Sequence, residues 1–93
     1  MRDGVQLVAI VKGKVQGVGF RAAAKYLADD LKLTGFVRNL SDGSVEICAQ
    51  GEKSQLEKFL SLIQQKFSSE YIETIDTNFS PPTQIYSDFK IAR

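Results

Sequence analysis

The pattern that most constrains the fold is a hairpin signal in the middle of the chain, Asp42-Gly43, with a strand pattern on each side. Residues 34–40 and 44–50 are the two strand patterns, and an Asp-Gly pair between such runs is typical of a tight antiparallel turn. In the second run, one face carries three apolar residues: Val45, Ile47 and Ala49. This alternation predicts a sheet with one covered face, and it places Cys48 on the other, more solvent-exposed face.

A strand pattern and a helical pattern precede this hairpin, and a second helical pattern and further strand patterns follow it. Residues 5–12 are rich in Val, Ile and Leu and predict a strand, whereas residues 21–31 repeat Ala and Leu at helical spacing. The apolar residues of 52–67 recur at i, i+3, i+4 and i+7, which predicts an amphipathic helix. Residues 71–79 predict a strand, and 86–92 a shorter final strand.

This βαββαβ order with a short terminal strand predicts an α+β protein with a ferredoxin-like α/β sandwich. Two split βαβ units with right-handed crossovers give an antiparallel sheet with both helices on one face. A chain of 93 residues, 43% of them hydrophobic, is long enough for one compact core, so we expect a single domain over residues 1–93. Because this fold serves RNA binders, metal chaperones, regulatory domains and enzymes, function must be inferred from a site.

Composition excludes several function classes. The chain has no histidine, which removes the usual general base near neutral pH and most zinc sites, and its carboxylates show no metal-ligand spacing. Cys48 is the single cysteine, so no internal disulfide can form, and the apolar stretch at 5–11 is too short to span a membrane. A net charge of +1 argues against nonspecific nucleic-acid binding. We therefore expect a cytoplasmic protein without a metal, a membrane partner or a nucleic-acid partner.

The segment between the first strand and the first helix predicts an anion-binding loop. Gly17 and Gly19 can adopt positive φ and leave their amide N–H groups accessible, while the following helix adds its unpaired first-turn N–H groups. Arg21 supplies a planar fork of donors suited to phosphoryl oxygens. Residues 12–25 contain no acidic residue and hold four basic ones: Lys12, Lys14, Arg21 and Lys25. Phosphate is the expected ligand, although the loop has neither the dinucleotide glycine fingerprint nor a nucleotide P-loop ending.

Two stretches together closely resemble the acylphosphatase family: residues 13–21, GKVQGVGFR, and residues 35–45, which run from GFVRN to GSV. The resemblance covers nearly the whole chain, including the spacing of the two stretches and the closing Phe89-Lys90-Ile91. It implies a small cytoplasmic enzyme that hydrolyses the carboxyl–phosphate bond of acyl phosphates. The products would be a carboxylate and inorganic phosphate, and no cofactor or metal is expected.

The same resemblance implies which residues form the site. Arg21 and Asn39 would be the catalytic residues, with Asn39 orienting the attacking water. The phosphate-binding backbone N–H groups would be those of five consecutive residues: Gln16, Gly17, Val18, Gly19 and Phe20. The chemistry suits so small a set, because an acyl phosphate has a good leaving group and phosphoryl transfer needs mainly positioning and charge stabilisation. Inorganic phosphate is the expected product and inhibitor, and we expect a monomer.

A noncatalytic module that binds an anion or RNA is the alternative. The predicted exposed face of the sheet offers no paired aromatics for RNA, and Arg38 falls on the face opposite Asn39, so it is assigned no catalytic role. Three departures from the usual family pattern are Phe36 in place of tryptophan, Lys32 where a glycine often ends the helix, and residues 66–70 in place of a Gly-Pro pair. We expect these departures to affect stability rather than the site, with Lys32 forcing a different helix exit.

Overall fold

The computed structural model describes residues 4–93, which form five strands and two helices. The strands are β1 Val5–Gly13, β2 Thr34–Asn39, β3 Val45–Gly51, β4 Ile72–Ser80 and β5 Phe89–Ile91, and the helices are α1 Phe20–Asp30 and α2 Lys53–Tyr71. The predicted element order is confirmed. The predicted boundaries agree within a few residues, except that α2 extends to Tyr71 instead of Phe67 and β5 is shorter than the predicted 86–92.

The five strands form one sheet in the order β4-β1-β3-β2-β5. The pairs β1–β3, β1–β4 and β2–β3 are antiparallel, as predicted, but β5 pairs parallel to β2, with Val37 opposite Ile91. The expectation of an antiparallel sheet is therefore corrected at this edge. The cause is the connection over residues 81–88, which leads from β4 at one edge of the sheet to β5 at the other, so that β5 starts where β2 starts.

Residues 81–88, here called the crossing segment, pass over the outer face of the sheet, opposite the helices. Two side chains of the sheet, one from β1 and one from β3, form hydrogen bonds with consecutive residues of this segment. The amide and hydroxyl of Thr83 form hydrogen bonds with the Gln6 side chain, at 3.3 Å for the amide, and the Gln50 side-chain amide donates to the carbonyl oxygen of Gln84. Gln6 is consequently buried, with 5% of its surface exposed.

The crossing segment also covers Cys48, which sequence analysis placed on the more exposed face. Cys48 is only 5% exposed, so the expectation that it lies on a solvent-exposed face is wrong. The covering residue is Tyr86, whose ring contacts Phe36 edge-on at 5.8 Å between centroids. Burial raises the pKa of the Cys48 thiol, which keeps it protonated and unreactive.

The hydrophobic core lies between the other face of the sheet and the two helices. The face predicted to be covered is fully buried at Val45, Ile47 and Ala49. Aromatic contacts join the two helices, where Phe20 of α1 lies 4.8 Å from Phe67 of α2 between ring centroids. They also join helix to sheet, where Phe59 of α2 lies 6.4 Å from Phe89 of β5. Within residues 4–93, no helix is long and apolar enough to cross a membrane.

The end of α1 corrects one expectation. Lys32 adopts the left-handed conformation, with φ 59°, that glycine adopts at helix ends, so it does not force a different exit. The Leu33 amide donates to the carbonyl oxygen of Ala28 at 2.8 Å, which closes the helix in the usual way. The segment 66–70 contains the other non-glycine residue with positive φ among the described residues, Ser68 at 52°.

Candidate active site

The strand directions bring the predicted site residues to one end of the sheet, the edge that runs across the strand termini. Both β1 and β2 are antiparallel to β3, so they run in the same direction, and β5 runs parallel to β2. The carboxyl ends of these three strands, at Gly13, Asn39 and Ile91, therefore lie at the same edge. The chain enters α1 directly after β1, so the start of α1 lies at this edge as well. The parallel pairing of β5, which sequence analysis did not predict, is what adds Ile91 to the site.

Residues 14–19 form the predicted loop between β1 and α1, here called the cradle. Gly17 and Gly19 have φ of 80° and 81°, and a Cβ at either position would meet no atom within 4 Å. Gly19 is the N-cap of α1 and provides no side-chain cap. The amides on either side of this loop are paired: that of Lys14 donates to the carbonyl oxygen of Tyr71, and that of Ala23 donates to the carbonyl oxygen of Gly19. The amides of 15–22 between them donate no hydrogen bond to another residue of 4–93. A run of accessible donors at a helix start is the arrangement that binds anions.

Arg21 lies in the first turn of α1 and is half-buried. It lines a hollow of about 180 Å³ together with six other residues: Val15, Gly17, Gly19, Phe20, Ala22 and Ile91. Among the residues that the structure describes, Arg21 forms no ion pair. A guanidinium at the positive end of a helix dipole is unfavourable on its own, so this position favours an anionic ligand beside it.

Two other cations near the site are already paired. Arg38 binds the carboxylate of Glu46 at 2.6 Å, consistent with the prediction that it takes no part in catalysis. Lys25, one of the four basic residues of 12–25, bridges two acceptors, the Asp29 carboxylate at 3.0 Å and the carbonyl oxygen of Phe89 at 2.8 Å. Lys25 therefore ties α1 to β5.

Asn39 ends β2 opposite Val45 of β3. Because side chains alternate along a strand, Asn39 shares the helix-facing side with Val37 and opposes the side that carries Arg38. Its Oδ1 atom is buried and has no hydrogen-bond partner among residues 4–93. Buried polar atoms are nearly always paired, so an unpaired one at this edge indicates an acceptor for a further molecule.

Gln16 connects the cradle to the strand that carries Asn39. Its side-chain Nε2 donates to the carbonyl oxygens of Leu40 and Ser44, each at 2.8 Å. Sequence analysis considered Gln16 only for its backbone N–H, and missed this side-chain role. A polar side chain next to Gly17 was the available signal, but its two acceptors lie in a hairpin that is distant in sequence.

The tip of that hairpin is stabilised by Asp42. The hydroxyl and the amide of Ser44 both donate to the Asp42 carboxylate, and these hydrogen bonds lower the pKa of Asp42, with a smaller contribution from the charge of Lys12. The lowered pKa means that the Asp42 carboxylate stays charged to a lower pH than an ordinary aspartate does. Within residues 4–93, no group of three or more Cys, Asp and Glu side chains could hold a metal ion.

Fold and site together define a ferredoxin-like α+β protein whose first helix is preceded by a glycine-containing loop of backbone donors that are unpaired within residues 4–93. The family model for acylphosphatase matches residues 7–91. The chain therefore belongs to the acylphosphatase family, as its two motifs indicate.

Relatives support this membership along most of the chain. The acylphosphatase of Thermus thermophilus is 45% identical over 74 residues, which cover 80% of this chain and 84% of that protein. The crystal structure of the Bacillus subtilis acylphosphatase superposes with a TM-score of 0.88 at 36% identity and covers 96% of this chain and 99% of that one. A structure of full-length HypF in a phosphate- and nucleotide-bound form matches the whole of this chain with only 12% of its own, at a TM-score of 0.82 and 29% identity.

Proposed function

We propose that this chain is a single-domain acylphosphatase that acts on small acyl phosphates, with Arg21 and Asn39 as its catalytic residues. The amides of residues 16–20 and the Arg21 guanidinium bind the phosphoryl group, and Asn39 orients the water. Neither a metal ion nor an organic cofactor is required for this scheme.

The observation that carries this proposal is the buried, unpaired Oδ1 of Asn39. An amide oxygen does not ionise, so it cannot act as a strong base, but it can accept a hydrogen bond from water and direct a lone pair of that water. The link through Gln16 supports a short distance between this water and the cradle, since Gln16 bonds the carbonyl oxygen of the residue after Asn39.

In the proposed reaction, the water oxygen forms a bond to phosphorus while the bond from phosphorus to the carboxyl oxygen breaks. The carboxylate leaves with the electron pair, and the proton lost by water passes to a phosphoryl oxygen. No general acid is needed, because a carboxylate is a stable leaving group near neutral pH. Charge on the equatorial oxygens is stabilised by the cradle amides and by Arg21, which are fixed before the reaction starts.

A noncatalytic anion-binding module remains the second candidate, because the chain matches a small part of full-length HypF as well as whole acylphosphatases. An RNA-binding sheet is disfavoured, since the crossing segment covers part of the outer face, including Phe36, and Arg38 is paired with Glu46. We also propose a monomer in a reducing compartment such as the cytoplasm. The single cysteine and the scattered exposed apolar side chains of the described residues support these two points.

Hydrolysis of benzoyl phosphate by the purified chain, measured with and without a chelator, tests the proposal. We expect turnover that resists the chelator and is inhibited competitively by inorganic phosphate. Arg21→Ala should lower kcat/KM by about 10³-fold, the range seen when a donor to a reacting phosphoryl group is removed.

Arg38→Ala is the matched control, because it removes a guanidinium from the same edge of the fold but from the opposite face of the sheet. It should leave kcat/KM within about twofold of the unmodified chain. A folded chain that binds phosphate but shows no turnover would instead identify the anion-binding module.

A further inference from the structure

The rim of the hollow at the cradle is apolar, which the binding of phosphate does not explain. Among the described residues, four large hydrophobic side chains are exposed: Val18, Tyr26, Ile85 and Ile91. Two of these belong to the site, since Val18 lies in the cradle and Ile91 lines the hollow with Arg21. Their exposed fractions are 41% and 44%. Inorganic phosphate would gain nothing from such neighbours.

The position of Ile91 is fixed by β5. Ile91 pairs with Val37 of β2, and the Ala92 amide following it donates to the Val37 carbonyl oxygen at 2.8 Å. Two residues earlier, Phe89 is buried in the core, and its carbonyl oxygen accepts from Lys25 of α1 at 2.8 Å. Alternation places Ile91 on the same face as Phe89. Ile91 therefore faces the same way as the core residues but lies just outside the core, at the mouth of the hollow.

The direction of the substrate follows from the proposed chemistry. The phosphoryl group occupies the cradle, so the acyl group must project from it, opposite the attacking water. Ile91 lines the hollow together with Arg21, and it belongs to β5, the edge strand beyond β2. An acyl group that leaves the hollow past Ile91 would cover apolar surface that is otherwise in contact with water.

We propose that Ile91, assisted by Val18, determines acyl-group specificity and selects acyl phosphates with an apolar aromatic or branched acyl group over small ones. This inference rests on the proposed function. The contact is made to a part of the substrate that does not react, so it should act mainly on KM rather than on kcat.

The test compares kcat and KM for benzoyl phosphate and acetyl phosphate in the unmodified chain and in Ile91→Thr. Threonine keeps the β-branched shape that suits a strand but replaces one apolar arm by a hydroxyl. The unmodified chain should prefer benzoyl phosphate, and Ile91→Thr should lower the benzoyl-to-acetyl ratio of kcat/KM by about fivefold. That change is smaller than the factor of about 10 or more that one methylene contributes in a closed hydrophobic pocket, because this site is open to solvent. The change should appear in KM for benzoyl phosphate.

Ile85→Thr is the matched control, since Ile85 is 94% exposed on the crossing segment and lies outside the site. It should leave the ratio unchanged, and Ile91→Leu should restore most of the preference. An equal ratio in the unmodified chain and in folded Ile91→Thr would overturn the inference. If Ile91→Thr does not fold, the inhibition constants of phenylphosphonate and methylphosphonate are measured in the unmodified chain. The inference requires that phenylphosphonate bind more tightly than methylphosphonate, and equal inhibition constants would overturn it. Lack of turnover with both substrates in the unmodified chain would instead contradict the proposed function.

Discussion

Gly19 and Gly35 both have positive φ, 81° and 136°, yet they serve opposite purposes. A Cβ at Gly19 would meet no atom within 4 Å, whereas a Cβ at Gly35 would overlap the carbonyl oxygen of Cys48 on the neighbouring strand. The open glycine leaves space beside backbone donors, which a ligand can use. The crowded glycine allows β2 and β3 to pair closely. We therefore expect glycine to serve ligand binding at position 19 and folding at position 35.

The largest effect on stability is expected at the crowded position. Gly35→Ala should lower the free energy of unfolding by at least about 3 kcal/mol, because overpacking against backbone adds to the cost of positive φ. Urea unfolding followed by circular dichroism measures this loss. Thr34→Ala is the control, and it should cost less than about 1 kcal/mol, the range of strand propensities. A loss below 1 kcal/mol in Gly35→Ala would show that the strands can separate to admit a methyl group.

A second prediction concerns a residue that we assign to function alone. Asn39→Ala should lower kcat for benzoyl phosphate by about 10²-fold, equivalent to about 2.7 kcal/mol, while the inhibition constant of inorganic phosphate changes less than threefold. The free energy of unfolding should stay constant or rise by up to about 1 kcal/mol, since the substitution removes a buried oxygen that has no partner within residues 4–93.

Asn78→Ala, on the exposed edge strand β4, is the control for this variant and should leave kcat unchanged. If Asn39→Ala weakens phosphate inhibition as much as it lowers kcat, Asn39 binds the phosphoryl group instead of orienting water. Separate measurement of the two constants therefore distinguishes the two roles.

The open glycine should show a smaller loss of stability together with a loss of activity. Gly19→Ala should cost about 1 kcal/mol in unfolding free energy, because the cost of positive φ for a residue with a Cβ and no overlap is partly offset by the lower freedom of the unfolded chain. We expect kcat/KM to fall about tenfold, because relief of that strain turns the cradle amides away from the ligand. The loss of kcat/KM relative to the loss of unfolding free energy should be larger in Gly19→Ala than in Gly35→Ala if Gly19 serves binding and Gly35 serves folding. Unchanged activity in folded Gly19→Ala would contradict this division.

The sequence predicted the element order, the covered face at Val45 and the motif that carries Arg21 and Asn39, because these depend on local patterns and on a motif of fixed spacing. It could not distinguish Gly19 from Gly35, since crowding depends on a neighbouring strand. The parallel pairing of β5 was also missed, because the direction of a short edge strand depends on the path of the preceding connection. Consequently the place of Ile91 at the site could not be predicted. Burial of Cys48 has the same origin, since the crossing segment covers it.

The smallest effect is expected where positive φ serves neither a ligand nor a close approach. Lys32 adopts φ 59° at the end of α1, a conformation that costs a non-glycine residue about 1–2 kcal/mol. Glycine removes this cost but loses about 0.5–1 kcal/mol through the greater freedom of the unfolded chain. Lys32→Gly should therefore raise the free energy of unfolding by about 0.5–1 kcal/mol in urea unfolding. Lys32→Ala removes the same charge but keeps the backbone cost, so it should leave stability unchanged. Equal gains in both variants would assign the effect to the lysine side chain, whereas a gain in glycine alone identifies backbone conformation as the cause.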